Sequence, residues 1–425
     1  MRVLKITGGR SLNGSLRVQG AKNSALPLLA ASVLTEGLSV FRNCPRLTDV
    51  EATVAILRHV GCRVYGEGDA LYVDASGPIC PEIPDELMGR MRSSVIFLGA
   101  LLSRCGEVTL SLPGGCELGP RPVDLHLLAL RALGAEVTEA GGRICCRAAG
   151  LKGNSIVLPT VSVGATENAM LAAVRASGST VITGAAREPE IVDLQEYLRS
   201  CGALVTGAGS SVIRIQGTER LLGAEKRIMP DRIAAATWLT ACASAGGRIR
   251  LYDACPAHME PILRALRRMG CAVTTGENLI VLERREPLRS PGPIITRPHP
   301  GFPTDAQPPL MAASLKAKGV TVMIETIFES RYRHVPALQS MGADIRTAGK
   351  TAVIRGVDAL HGASVRASDL RGGAALAVAA LAAEGETFVR ELHLGTHRTR
   401  SFIRRMSGNH IYDMMRRYLT GLPVE

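Results

Sequence analysis

Apolar positions in this chain recur at helical spacing, stop at a glycine, and resume on alternate residues in a β-branched run. The pattern reads Ile56-Leu57-Arg58-His59-Val60-Gly61-Cys62-Arg63-Val64, then Leu130-Arg131-Ala132-Leu133-Gly134-Ala135-Glu136-Val137, then Leu198-Arg199-Ser200-Cys201-Gly202-Ala203-Leu204-Val205. It returns at Leu266 to Val273 around Gly270 and at Leu338 to Ile345 around Gly342. A switch from helical to alternating spacing predicts a helix followed by a strand. The glycine is expected to cap the helix in the left-handed conformation, which lacks a Cβ clash only in glycine. A turn and a hairpin partner follow, such as Leu71-Tyr72-Val73 or Leu279-Ile280-Val281-Leu282. These glycines lie 73, 68, 68 and 72 residues apart, which marks a repeat of about 70 residues as architecture. A sixth unit falls near residue 412. Ile403 to Gly408 begins like one, but Asn409 to Glu425 holds no turn plus second strand.

Alternating strands and helices predict an α/β fold. Six units divide naturally into two domains of three, the last unit being atypical. Other helices are apolar nearly all round, as in Ala374-Ala375-Leu376-Ala377-Val378-Ala379-Ala380-Leu381. Such helices belong inside a domain, with the sheets outside, an inside-out α/β barrel.

The chain has 425 residues, 46% of them hydrophobic, enough for two or three cores. A formal charge of +12 admits nucleic acid, an acidic membrane or small anions as partners. Aromatic residues make up only 3%, against a base-stacking reader of nucleic acid. The scattered Lys and Arg favour small anions. No apolar run reaches the roughly 18 residues of a membrane span. Eleven cysteines without small-scaffold spacing, and a start at Met1-Arg2-Val3-Leu4-Lys5 without an apolar signal, predict a cytoplasmic protein. No His/Cys cluster has zinc spacing.

The run Pro113-Gly114-Gly115-Cys116-Glu117-Leu118-Gly119-Pro120-Arg121-Pro122-Val123-Asp124-Leu125-His126 concentrates candidate chemistry. Its three Gly and three Pro predict a loop whose amides can approach an anion. Arg121 offers a fork for phosphate or carboxylate. A neighbouring positive charge makes Cys116 either a reactive thiolate or, like most of the other ten cysteines, a small buried apolar residue. Lys22 follows Gly20-Ala21 at the start of an apolar helix and so opposes the helix dipole. It is either an exposed lysine or an anion ligand. Met91-Arg92-Ser93-Ser94 and Pro230-Asp231-Arg232 also put arginine near helix starts. Ser162-Val163-Gly164-Ala165 opens a helix with small residues suited to a phosphate. Asp305, between Pro303 and Pro308, is either a helix cap or a base.

Together these segments resemble the enolpyruvyl transferases, in particular the branch acting on UDP-N-acetylglucosamine. The resemblance runs from Ile6-Thr7-Gly8-Gly9 to about Glu386. It is carried by Gly20-Ala21-Lys22-Asn23, Leu47-Thr48-Asp49-Val50, the 113–126 run, Ser162 to Asn168, Arg187 to Asp193, Phe302 to Gln307, Phe328 to Arg331 and Asp369 to Arg371. It implies domains of 22–229 and of 1–21 plus 230–425. It also implies transfer of the enolpyruvyl group of phosphoenolpyruvate to the sugar 3-hydroxyl, the first committed step of peptidoglycan synthesis, by a monomer without metal or organic cofactor. By this resemblance Cys116 is the general acid and the target of fosfomycin, and Asp305 accepts the hydroxyl proton. Lys22, Arg121 and Arg371 would clamp the phosphate and carboxylate. Asn23, Arg92, Arg121, Pro122, Val123, Asp124, Leu125, Ser162, Val163, Gly164 and Ile327 would face the UDP-sugar, with Arg331 beside them. The 113–126 loop would close over a cleft between the domains.

One region departs from the family pattern. Where the family has a His-Ile-Asp-Arg-Gly-Tyr segment, this chain reads His393-Leu394-Gly395-Thr396-His397-Arg398-Thr399-Arg400-Ser401. Codons for Thr396 to Ser401 can be chosen so that the next frame encodes His-Thr-Glu-Arg-Gly. A frameshift near residues 387–396 is therefore expected, and a non-catalytic paralogue that binds a UDP-sugar or a partner protein is the alternative function.

Overall fold

The structure is a computed structural model, and it describes residues 3–111 and 123–390. The described residues are α/β throughout. Its residues form two compact units, one containing the described residues up to Gln19 and from Pro230 onward, the other beginning at Gly20 and ending at Met229.

The repeating unit is legible in the sheet wiring. In one sheet the strand Leu38–Arg42 lies parallel to the short strand Glu225–Arg227 and antiparallel to Ala70–Asp74, which pairs in turn with Arg63–Glu67. The same order of short parallel strand, long strand and hairpin recurs around Glu107–Ser111, Ser179–Thr183, Gly247–Tyr252 and Val320–Ile324. A sixth sheet has three strands among the described residues. Glu386–Arg390 runs parallel to Ser364–Arg366, and Val3–Thr7 pairs antiparallel with it, where the other sheets use a hairpin strand. The segment 391–425, where the sequence pattern breaks, lies outside the described residues.

All five pattern glycines have positive φ, from +92° to +108°. Each ends its helix with the same pair of bonds. Gly202 N–H donates to Arg199 O at 3.0 Å and Ala203 N–H to Leu198 O at 2.9 Å, and the equivalent pairs follow Gly61, Gly134, Gly270 and Gly342. These bonds satisfy carbonyls that a helix end otherwise leaves open.

In the first unit the helices Arg232–Ala245, Gln307–Ser314 and Leu370–Leu381 pack on one another. In Leu370–Leu381 every residue from Gly372 onward is buried. In the second unit Phe97–Cys105 packs against both Lys22–Ala31 and Val163–Ala173. The strands bury alternate residues only, as in Ser179–Thr183, so sheets flank helical cores. Truncating a leucine such as Leu376 in these interiors would cost about 2–5 kcal/mol.

Ten cysteines are described, and five of them, Cys62, Cys146, Cys201, Cys242 and Cys271, are buried. Burial pushes the thiols of Cys62, Cys146 and Cys242 up to about 12, which keeps them inert at neutral pH. Five of ten is half rather than most: Cys44, Cys105, Cys145 and Cys255 are partly exposed, and Cys80 is exposed in a proline-flanked approach to a two-residue strand. No helix among the described residues is long and apolar enough to cross a membrane.

Candidate active site

Helix starts carry most of the candidate side chains. Lys22 is the first residue of Lys22–Ala31, and Asn23 beside it is exposed. With no acidic residue in its own first turn, Lys22 finds a counter-ion elsewhere. Its Nζ lies 2.8 Å from Asp49 Oδ2, in the first turn of Thr48–His59. The pair remains about one-fifth exposed, so an incoming anion can compete for the ammonium. The backbone of Arg92 opens the short turn Arg92–Ile96, which packs against both Lys22–Ala31 and Val163–Ala173.

A second group surrounds two facing helix starts. Val123, Asp124 and Leu125 begin Asp124–Ala132, while Ser162 caps Val163–Ala173 by accepting from Ala165 N–H at 3.3 Å. Between them sits His126, which sequence reading passed over. A Cβ on Gly164 would stand 3.0 Å from His126 Cε1, a tight contact, so the two turns pack closely here. Asn168 fixes the ring. Its Oδ1 accepts from Gly99 N–H at 2.6 Å, which leaves its amide to donate to Val95 O at 3.1 Å and His126 Nδ1 at 2.8 Å. His126 must therefore accept at Nδ1 and carry its proton on Nε2. Burial lowers its pKa to about 4, so the ring is neutral at pH 7.

Deeper in this unit, the side chain of Asp193 is only 5% exposed and binds Lys226 Nζ at 2.7 Å. It also accepts from Ser24 Oγ and from Met229 N–H, the latter at 3.2 Å. Ser24 stands two residues after Lys22, so Asp193 anchors the turn that presents the lysine.

The other unit holds the candidate base. Asp305 lies in the short turn Thr304–Ala306 that leads into Gln307–Ser314, and it caps neither element. Its carboxylate instead bridges two guanidiniums. Arg331 Nη2 donates to Oδ1 at 2.7 Å and Arg371 Nη2 to Oδ2 at 2.9 Å. Arg371 is presented by the first turn of Leu370–Leu381, where Asp369 caps the helix through the Arg371 and Gly372 amides. Arg331 also donates from Nε to Thr304 Oγ1 at 3.0 Å and stacks on Phe328. Glu325 joins the group by accepting from Thr304 Oγ1 at 3.0 Å and from Ile327 N–H at 2.8 Å. That brings Ile327, itself exposed, into the cluster of Asp305, Arg331 and Arg371.

Electrostatics sharpens the picture. Burial opposes ionisation of Asp305, but Arg371 and Arg331 outweigh it and hold the carboxyl well below the usual range. His334, fully buried, donates from Nδ1 to Arg331 O at 3.1 Å and is held neutral by burial. Neither Glu325 nor His334 had a sequence signal, because their partners lie 21 residues away or are backbone atoms. Cys116, Arg121 and Pro122 lie outside the described residues.

A two-arginine carboxylate clamp in one α/β unit and a lysine-bearing helix start in the other each suit contact with small anions. The chain belongs to the enolpyruvyl transferases. The family model of EPSP synthase (3-phosphoshikimate 1-carboxyvinyltransferase) matches residues 6–404. Among its relatives, UDP-N-acetylglucosamine 1-carboxyvinyltransferase 2 of Caldanaerobacter subterraneus subsp. tengcongensis is 48% identical, covering 92% of this chain and 93% of that protein. UDP-N-acetylglucosamine 1-carboxyvinyltransferase of Dichelobacter nodosus is 44% identical over 92% of this chain and 94% of its own. The enolpyruvyl transferase NikO of Streptomyces tendae superposes with a TM-score of 0.81 at 27% identity, covering 91% of this chain and 92% of its own. An EPSP synthase of Acinetobacter baumannii shares the fold with a TM-score of 0.70 at 20% identity, covering 92% and 94%. The protein is thus a transferase of the 1-carboxyvinyl type.

Proposed function

We propose that this chain transfers the enolpyruvyl group of phosphoenolpyruvate to the 3-hydroxyl of UDP-N-acetylglucosamine, with release of phosphate, in the cytoplasm and as the first committed step of peptidoglycan synthesis. The observation that carries the reading is the run of relatives bearing that activity in their names, 44–48% identical over 92% of the chain. The named EPSP synthases stand much further off, at 20–21% identity.

In this reading Cys116 protonates the methylene carbon of phosphoenolpyruvate. Lys22, Arg121 and Arg371 hold its phosphate and carboxylate, placing positive charge where negative charge gathers. Asp305 takes the proton of the attacking sugar hydroxyl. Asn23, Arg92, Arg121 to Leu125, Ser162 to Gly164, Ile327 and Arg331 serve the UDP-sugar side. No metal or organic cofactor takes part, and the working form is a monomer. The His126–Asn168 buttress supports the role given to residues 123–125 and 162–164, because it holds their two helix starts together.

The test is phosphate release from phosphoenolpyruvate, followed with UDP-N-acetylglucosamine or with shikimate 3-phosphate as acceptor. Release with the first and not the second, together with a carboxyvinyl product by mass, is the expected result. Intact UDP-sugar binding without turnover would instead support the non-catalytic paralogue. Fosfomycin is expected to label Cys116, and Cys116→Ser to abolish that label. An adduct found on another cysteine overturns the assignment.

A further inference from the structure

The clamp presents Asp305 in a form that cannot serve as a base. Both carboxylate oxygens already accept charged hydrogen bonds, one from each arginine. A carboxyl held well below its usual range has little affinity for a hydroxyl proton. The two arginines are not equivalent. Arg331 has a side chain 1% exposed and is tied to Thr304 and Phe328, whereas the Arg371 side chain is 12% exposed and donates to Asp305. Asp305 is itself 27% exposed, so solvent-borne groups reach the clamp. Arg331 Nη1 is buried without a hydrogen-bond partner among the described residues, so the cluster holds more donors than acceptors. Among the described residues, the other charged or titratable groups facing the clamp are Glu325, through Thr304, Asp231 and Asp369, which act on Arg371, and neutral His334 behind Arg331.

We infer that Asp305 is a gated base, switched on when an anion of the phosphate or carboxylate class takes over the Arg371 guanidinium. The exchange is one acceptor for another. The N–H of Arg371 Nη2 passes from Asp305 Oδ2 to an anion oxygen, and Oδ2 is left with a free lone pair while Oδ1 stays on Arg331. Arg371 keeps a counter-ion throughout, so the exchange avoids stranding a part-buried charge. Losing one of two cationic partners raises the affinity of the carboxylate for a proton. The order follows from the geometry: the anionic substrate arms the base, and a hydroxyl substrate arriving alone meets an inert one. This inference rests on the proposed reaction for its purpose, though the exchange stands by itself.

The experiment is carbon-13 NMR of the full chain labelled at aspartate Cγ, with Asp305→Asn assigning the Asp305 line, followed from neutral pH downward with and without inorganic phosphate. Without phosphate the line is expected to stay in its ionised position throughout the folded range. Saturating phosphate should bring a titration into view near the ordinary aspartate midpoint of about 4. Arg371→Gln should give that midpoint without phosphate and no further response to it. An Asp305 line that ignores phosphate while calorimetry shows phosphate bound overturns the gate, and so does an absence of phosphate binding. Product formation with an unmoved Asp305 line sinks this inference alone. A phosphate-linked titration without product sinks the proposed function and leaves the gate standing.

Discussion

Asp193 and Asp305 are both carboxylates gripped by cations, one in each compact unit, yet their surroundings assign them opposite work. Asp193 is 5% exposed, and Lys226, Ser24 and the Met229 amide together satisfy both of its oxygens. Asp305 is 27% exposed, and both of its partners are arginines, one of which has a buried N–H unspent. A saturated carboxylate sealed from water is a brace, because no ligand can offer it a better bond than it has. One that faces water through an exchangeable partner can change state. Burial and ion pairing alone therefore do not mark a reactive group; the distinction lies in exposure and unspent donors.

The largest expected effect tests that contrast directly. Asp305→Asn should lower kcat by about 10²–10⁴-fold, as loss of a base does, and should also lower the unfolding midpoint because Arg331, 1% exposed, loses its charge partner. Steady-state kinetics beside a urea melt decides it, and turnover near wild type would return Asp305 to the status of a brace. Asp193→Asn should act on stability with little effect on kcat. Lys226 would keep only its bond to the exposed Glu196, and Ser24 Oγ and Met229 N–H would lose a charged acceptor, which should cost about 1–3 kcal/mol of stability. A loss below about 1 kcal/mol would place the pair among surface ion pairs and void the comparison.

Acid separates the two units further. The pKa of Asp305 is held below the usual carboxylate range, so the stability it contributes is full above the unfolded carboxylate value of about 4 and is lost progressively as the pH falls below it. His126 acts in the same direction but in a higher pH window. Its folded pKa of about 4 lies below its unfolded value near 6.5, so the unfolded chain takes up a proton first. Stability is full above about 6.5 and falls as the pH drops toward 4, by roughly 3 kcal/mol for this ring. Urea midpoints across that window should decline in the parent and less steeply in His126→Gln; equal slopes would remove His126 as the cause. The smallest effect belongs to the architecture shared by both units. Gly202→Ala, at φ +102°, should cost about 1 kcal/mol by calorimetry and leave kinetics untouched.

The local chemistry of the chain was largely legible before folding. Gly61, Gly134, Gly202, Gly270 and Gly342 announced helix ends because only glycine accepts the left-handed cap, and that constraint acts within six residues. The all-apolar run of Leu370–Leu381 announced an interior helix for an equally local reason. The sixth sheet was not legible in this way, since its third described strand comes from Val3–Thr7, more than 370 residues from Glu386–Arg390 in sequence. Asp305 shows the same limit. From sequence its proline-flanked turn fitted a cap as well as a base, and the residues that exclude the cap, Arg331 and Arg371, stand 26 and 66 positions away. Sequence alone determined the periodicity, the fold class and the residue types available for anion chemistry, because these follow from local sterics and side-chain identity. Only the tertiary structure decided that Asp193 is sealed and Asp305 is open, because solvent exposure and charge pairing are set by which distant segments the packed cores bring together.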